Sequence, residues 1–214
     1  MSQTSMQLTV NKFDAWRERY PQLSDTEHLE FYNTIAQAHP DQSHVDTECV
    51  DAFFNWISPR QEAVLEVGGW DGALAAAILP EHDGIQMWKN VEISHAAASN
   101  AVCRDSRYAA ESPSLFRWWK YYDTTPYQIF IAAHVLEHLA WADAQDVLRS
   151  IQHCRAVYLE IPIMRYHTIR WHGYEGTHIL EVSWTTVQKY MERLGFTMTK
   201  VSDLTMWGIK GGAA

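Results

Sequence analysis

VLEVGGWDGALAAAIL, residues 64–79, is an apolar run that breaks into Gly-Gly-Trp-Asp-Gly and resumes as an alanine-rich stretch. A short apolar run, a glycine cluster and a helix-forming segment in that order read as a strand, a tight turn and the start of a helix. Such a unit opens an α/β sheet in which ligands bind outside the carboxyl ends of the strands. There the glycines let a ligand approach the backbone, and the helix N-terminus offers free N–H groups. This reading puts Glu66 at the end of the strand and Gly68, Gly69 and Gly72 in the turn. Glu92, near the end of IQMWKNVEI, lies roughly twenty residues past the turn, where an acid reaches ribose hydroxyls in nucleotide-binding folds of this kind. Two acids and a glycine turn predict an adenosine-containing ligand. Trp70 narrows the choice. It stands where G-x-G-x-x-G places the second glycine, the one that lets the backbone meet a pyrophosphate, so a dinucleotide such as NAD is disfavoured.

Outward from this stretch, short apolar runs alternate with helix-like pieces: AVLEV, GALAAAIL, IQMWKNVEI, HAAASNAVC, YQIFIAA, HVLEHLAWADAQDVLRSI, AVYLEIPI, VSWTTVQKYMERLG, FTMTKVSD and LTMWGIK. That rhythm predicts a mostly parallel sheet covered by helices on both faces. Residues 12–57 read as helical. Phe13, Trp16 and Tyr20, then Leu29, Tyr32, Ile35 and Ala36, then Val50, Phe53, Phe54 and Ile57 recur at helix spacing, punctuated by Pro21, Pro40 and Pro59. No repeat or linker interrupts the chain. The expected organisation is an N-terminal helical addition or lid over residues 1–59 on an α/β body over residues 60–214.

Composition sets the outer bounds. A chain of 214 residues with 47% hydrophobic content supports one sizeable core. Cys49, Cys103 and Cys154 are far apart in sequence and form no Cys-x-x-Cys pair, which argues against a disulfide framework or a cysteine zinc site and fits a reducing, cytoplasmic setting. The N-terminus has no signal-peptide core, and no run approaches the eighteen or so apolar residues of a membrane span. A formal net charge of −9 disfavours nucleic acid as a partner, because phosphate binding depends on clustered Lys and Arg.

The glycine stretch resembles the first motif of class I S-adenosylmethionine-dependent methyltransferases, an acid followed by G-x-G-x-G. Glu66, Gly68 and Gly72 match, and Trp70 departs at the middle glycine. S-adenosylmethionine carries no pyrophosphate, so the departure is compatible with it. The likeness continues through VEIS at 91–94, IFIAAHVLEHL at 129–139 and RLGFTMTKVSD. It implies a Rossmann-like, doubly wound, mostly parallel seven-stranded sheet and S-adenosylmethionine as cofactor. It also implies a binding site at Glu66, Gly68, Gly69, Gly72, Glu92 and Ile93, with Glu92 taking both ribose hydroxyls. Asp123 is the candidate for an adenine contact.

Methyl transfer is an in-line displacement, to which a protein contributes positioning and a place for the acceptor's proton. His134, expected at the end of the fourth strand, is the candidate general base or acceptor-orienting residue, with His138 and His178 as further catalytic candidates. The segment RYHTIRWHGYEGTHILEVSW, with the N-terminal helices, is expected to shape a pocket for a small-molecule acceptor methylated at oxygen or nitrogen. No metal is expected. The alternative takes His134, Glu137 and His138 at i, i+3 and i+4 of one helix, with His178, as ligands of a divalent metal. That set is similar to one in metal-dependent small-RNA 2′-O-methyltransferases and some quinone-pathway O-methyltransferases. A second alternative is a non-catalytic partner protein on the same fold.

Overall fold

A computed structural model describes residues 19–38, 46–162, 179–180 and 182–211. In chain order it contains α1 (Asp25–Ala38), α2 (Thr47–Ile57), β1 (Glu62–Val67), α3 (Ala73–Ile78), β2 (Ile85–Val91), α4 (His95–Ser99) and β3 (Tyr108–Glu111). It continues with β4 (Ile129–Ala133), α5 (Trp141–Ser150), β5 (Ala156–Glu160), α6 (Trp184–Arg193), β6 (Phe196–Lys200) and β7 (Thr205–Lys210). The strands form one seven-stranded sheet in the order β3-β2-β1-β4-β5-β7-β6. The first five strands pair in parallel, and β7 runs antiparallel to both β5 and β6. The Rossmann-like doubly wound sheet expected from the sequence is therefore present. The order reverses direction at β1, so the switch point, where a ligand crevice opens in such sheets, lies between the carboxyl ends of β1 and β4.

Alternation along the central strands divides the core in two. Leu65, Val67, Phe130, Ala132, Val157 and Leu159 face Leu148, Val187 and Met191 from α5 and α6, together with Phe116 and Trp119. On the other face Val64, Ile129, Ile131, Ala156 and Tyr158 meet α2 and α3 through Val50, Phe53, Phe54, Leu74 and Ile78. Trp88 of β2 is fully buried in this second layer. The helix starts follow from their caps: the side chains of Asp46, Ser94 and Ser183 accept backbone N–H groups of Cys49, Ala97 and Thr186. The three cysteines are free. No helix among the described residues is long and apolar enough to cross a membrane.

Two expectations are corrected. The stretch HVLEHLAWADAQDVLRSI does not form one helix. Leu136–His138 is a short 3-10 turn, Leu139 and Ala140 are extended, and α5 begins only at Trp141. His134 takes φ 55°, and its N–H bonds the Glu160 carbonyl of the neighbouring strand end, which turns the chain away from a helical path. His134, Glu137 and His138 therefore do not share an α-helical face. The second correction is β3, which lies within RYAAES. Four residues with two alanines are too short for an alternating pattern to show.

Candidate functional site

The glycine turn stands at the carboxyl end of β1, where the sequence placed it. Gly68 has φ 66°, and its N–H bonds the Val91 carbonyl at the end of β2. A side chain on Gly68 would overlap Val135 of the loop after β4, so the turn is packed against the opposite side of the crevice. Gly69 is required for another reason: a Cβ there would collide with the Glu66 carboxylate lying directly beneath. Trp70 occupies a positive φ of 50°, and Gly72 provides the N-cap of α3.

Glu66 is buried and accepts a 2.7 Å bond from Trp88 Nε1. Burial raises its pKa to about 7, only partly offset by that bond, and Glu92 and Asp71 push it further in the same direction. Glu66 thus supports the turn from below. Glu92 follows the end of β2. Its Oε2 accepts the Trp70 N–H at 3.0 Å and its Oε1 the Ser94 N–H at 2.7 Å. Burial raises it to about 7 as well, against the two backbone bonds that favour its charge. Each carboxylate oxygen keeps further acceptor capacity, the requirement for taking a pair of adjacent hydroxyls. Ile93 is half-buried beside it, and its carbonyl accepts the Ser112 hydroxyl.

His134 stands at the carboxyl end of β4, between two acids. Its Nε2 lies 2.8 Å from Glu160 Oε1 and its Nδ1 3.5 Å from Glu137 Oε1. Glu160 is buried at the end of β5, and its other oxygen accepts the Tyr158 hydroxyl at 2.9 Å. Burial disfavours a charged imidazole, but the two carboxylates outweigh it and raise His134 to about 10. Both ring nitrogens are thus turned toward carboxylates, which hold the imidazole in place at the mouth of β4 and favour its protonated form. His138 Nε2 is 3.9 Å from Glu137 Oε1, and its ring meets Tyr32 of α1 edge-on at 6.0 Å. His178 lies outside the described residues. Among the described residues no three His, Cys, Asp or Glu side chains are arranged to hold a metal ion.

Asp123 is in the wrong place for an adenine contact. Its carboxylate accepts the Thr125 N–H and hydroxyl in the turn leading into β4, at the sheet end opposite the glycine turn. Of the aromatic group before it, Trp118 and Trp119 are buried and Tyr121 is exposed.

No family model and no curated protein matches the sequence. Solved structures do. Human N-acetylserotonin methyltransferase, in complex with SAM, is similar at a TM-score of 0.57 and 16% identity, covering 88% of this chain and 57% of its own. This chain thus spans little more than half the length of that protein. The methyltransferase domain of bacterial CtHen1 is similar at 0.58 and 17% identity, covering 78% and 97%. The magnesium protoporphyrin IX methyltransferase of Synechocystis PCC 6803, with bound SAH, is similar at 0.56 and 11% identity, covering 92% and 99%.

The chain has the class I methyltransferase fold.

Within this fold the candidate residues group on one crevice, with Glu66, the glycine turn and Glu92 on the β1–β2 side and His134, Glu137 and Glu160 on the β4–β5 side. Three participants were not foreseen. Asn90, fully buried on β2, accepts the Gly69 N–H at 3.0 Å and donates to the Trp70 carbonyl and the Tyr108 hydroxyl, so it clamps the turn. The available signal was weak, because Gln86 and Lys89 share the strand and Asn90 does not stand out in IQMWKNV. Glu160, the polar end of the otherwise apolar strand AVYLE, carried a clearer one. Tyr32 had been absorbed into the helical pattern.

Proposed function

We propose that the chain is an S-adenosylmethionine-dependent methyltransferase acting at oxygen or nitrogen of a small-molecule acceptor. The observation that carries this is Glu92: a buried acid at the end of β2, bonded to the backbone of the glycine turn and retaining acceptor capacity on both oxygens. A carboxylate so placed suits a ribose diol. The structural relatives solved with SAM or SAH support the same ligand.

The residues fit that cofactor. Gly68 and Gly69 let the turn close onto Val135 and Glu66 at the carboxyl end of β1, Glu92 would take the ribose hydroxyls, and Ile93 would flank the base. When bound, S-adenosylmethionine supplies an electrophilic methyl group on a sulfonium centre. Glu66, Glu92, Glu137 and Glu160 set against the single charge of His134 give the crevice an acidic balance, which favours a cationic ligand. His134 holds the Glu137 and Glu160 carboxylates in place at the β4–β5 side. Its role here is to orient the acceptor and to compensate charge beside it.

Calorimetric titration with S-adenosylmethionine and S-adenosylhomocysteine, in buffer containing EDTA, tests the reading. Saturable binding is expected without added metal. Glu92→Ala removes two charge-assisted bonds and is expected to weaken affinity at least tenfold, given about 1.5 to 3 kcal/mol for each such bond. A folded Glu92→Ala protein of unchanged affinity would sink the assignment, and binding that appears only with a divalent ion would favour the metal-dependent alternative.

A further inference from the structure

We propose that Tyr32 is a cofactor-contact residue, its phenol hydroxyl bonding the amino-acid end of S-adenosylmethionine between Glu92 and Glu137. The inference rests on the reading of Glu92 as the ribose acid and adds to it a residue from the N-terminal helix α1.

The helix is fixed against the site. Next to Tyr32, Asn33 Oδ1 accepts the Ser94 hydroxyl and the Ala96 N–H, both at 3.2 Å, at the start of α4 and two residues from Glu92. At the start of α1, Asp25 pairs with Arg117 at 3.0 Å, and Arg117 pairs in turn with Asp143 of α5 at 3.2 Å. The ring of Tyr32 is equally constrained. It lies parallel to Phe116 with centroids 6.1 Å apart, and edge-on to Phe31 and to His138. Phenylalanine would fill this aromatic slot as well.

The hydroxyl is what needs a reason. Tyr32 is nine-tenths buried, with 9% of its surface exposed. Its oxygen has no hydrogen-bond partner among the described residues. Buried polar atoms are rarely left so, because the unmade bond is costly. Its neighbours set it between two acids: Asn33 is bonded at Ser94, two residues from Glu92, and the His138 ring that meets Tyr32 edge-on follows Glu137 directly; the charges of both acids, after burial itself, raise the phenol's pKa. The oxygens of Glu92 accept the Trp70 and Ser94 N–H groups, not the phenol. Tyr32 therefore lies between the ribose acid and the His134 side of the crevice. In S-adenosylmethionine, the groups lying beyond the ribose toward the transferred methyl are the sulfonium and its amino-acid chain. A phenol can donate to that chain's carboxylate or accept from its ammonium, and the two flanking acids favour the ammonium.

The test compares wild type, Tyr32→Phe and Glu92→Ala for ligand-free thermal midpoint and for affinity toward S-adenosylmethionine, S-adenosylhomocysteine and 5′-methylthioadenosine, which lacks the amino-acid group. Tyr32→Phe is expected to melt at or above the wild-type midpoint, since it loses only an unpartnered hydroxyl. It is expected to bind the first two ligands about 10- to 100-fold more weakly, the worth of one hydrogen bond to a charged group, and methylthioadenosine as wild type does. Unchanged affinity for the first two ligands, alongside a binding loss in Glu92→Ala, overturns the proposal and leaves the cofactor reading standing. A lowered ligand-free midpoint overturns it by showing that the hydroxyl is bonded within the fold, and equal weakening of methylthioadenosine overturns the amino-acid assignment. Wild-type protein that binds none of the three ligands removes both readings.

Discussion

His134 shows how a single residue changes meaning between sequence and structure. In AAHVLEHL it reads as a free histidine with an ordinary pKa, near 6.5. In the fold, β5 brings Glu160 to one ring nitrogen and the turn after β4 brings Glu137 to the other. Its folded pKa, raised to about 10, lies above the unfolded value, so its stabilising contribution is fully present below about pH 6.5 and is lost as pH rises toward 10. Glu66 and Glu92 act in the same direction at lower pH. Both are raised to about 7 by burial, so the ligand-free protein loses stability as pH climbs through the range in which they ionise. The expected outcome is that His134→Gln narrows the stability gap from wild type steadily between about pH 6.5 and 10, read from urea midpoints at fixed temperature. A gap independent of pH across that window would mean that His134 is neutral in the folded protein.

Among the elements, the glycine turn is where sequence and structure agree most closely, because its demands are local. Gly68, Gly69 and Gly72 are visible as punctuation, and the acids at the ends of β1 and β2 fall at strand-end positions that periodicity alone locates. The support beneath the turn was not legible, since it depends on which side chain of β2 lands opposite Gly69. Parallel register pairs Asn90 with Glu66, and that pairing delivers the amide to the turn. Asn90→Ala should leave the Gly69 N–H without its acceptor and release the Trp70 carbonyl and Tyr108 hydroxyl. The expected cost is about 1–3 kcal/mol for the unsatisfied buried donor, with a matching fall in the unfolding midpoint and weaker cofactor binding. A variant as stable as wild type would show that the turn holds its shape unaided. The helix read through His134 to Ile151 failed for a related reason. Its spacing was helical, but a long-range bond from the His134 N–H to Glu160 fixed a different backbone at its start, an instance of tertiary contacts overriding local pattern.

For the whole molecule, the sequence suggests a helical addition or lid over residues 1–59 on a body of residues 60–214. The packing argues that the second helix belongs to the body. Val50, Phe53 and Phe54 of α2 are fully buried and Ile57 nearly so, all in the layer that also contains Trp88, Ile129, Ile131 and Tyr158. Burying four such side chains contributes roughly 6–12 kcal/mol at about 1.5–3 kcal/mol each, against a total stability of about 5–15 kcal/mol for an ordinary domain. The Arg155 guanidinium, bonded to both Glu62 and the Ile57 carbonyl, also ties the end of α2 to the strands. A chain of residues 60–214 therefore lacks one outer layer of its own core. It is expected to lose cooperative unfolding, to bind a dye selective for exposed apolar surface and to give collapsed amide NMR dispersion, while the full chain melts in one transition. A truncated protein with dispersed spectra and a sharp melt would place the boundary at residue 59 after all and make the N-terminal helices a separable addition. The expected outcome instead makes the N-terminal helical layer part of the domain's own core rather than a separable addition.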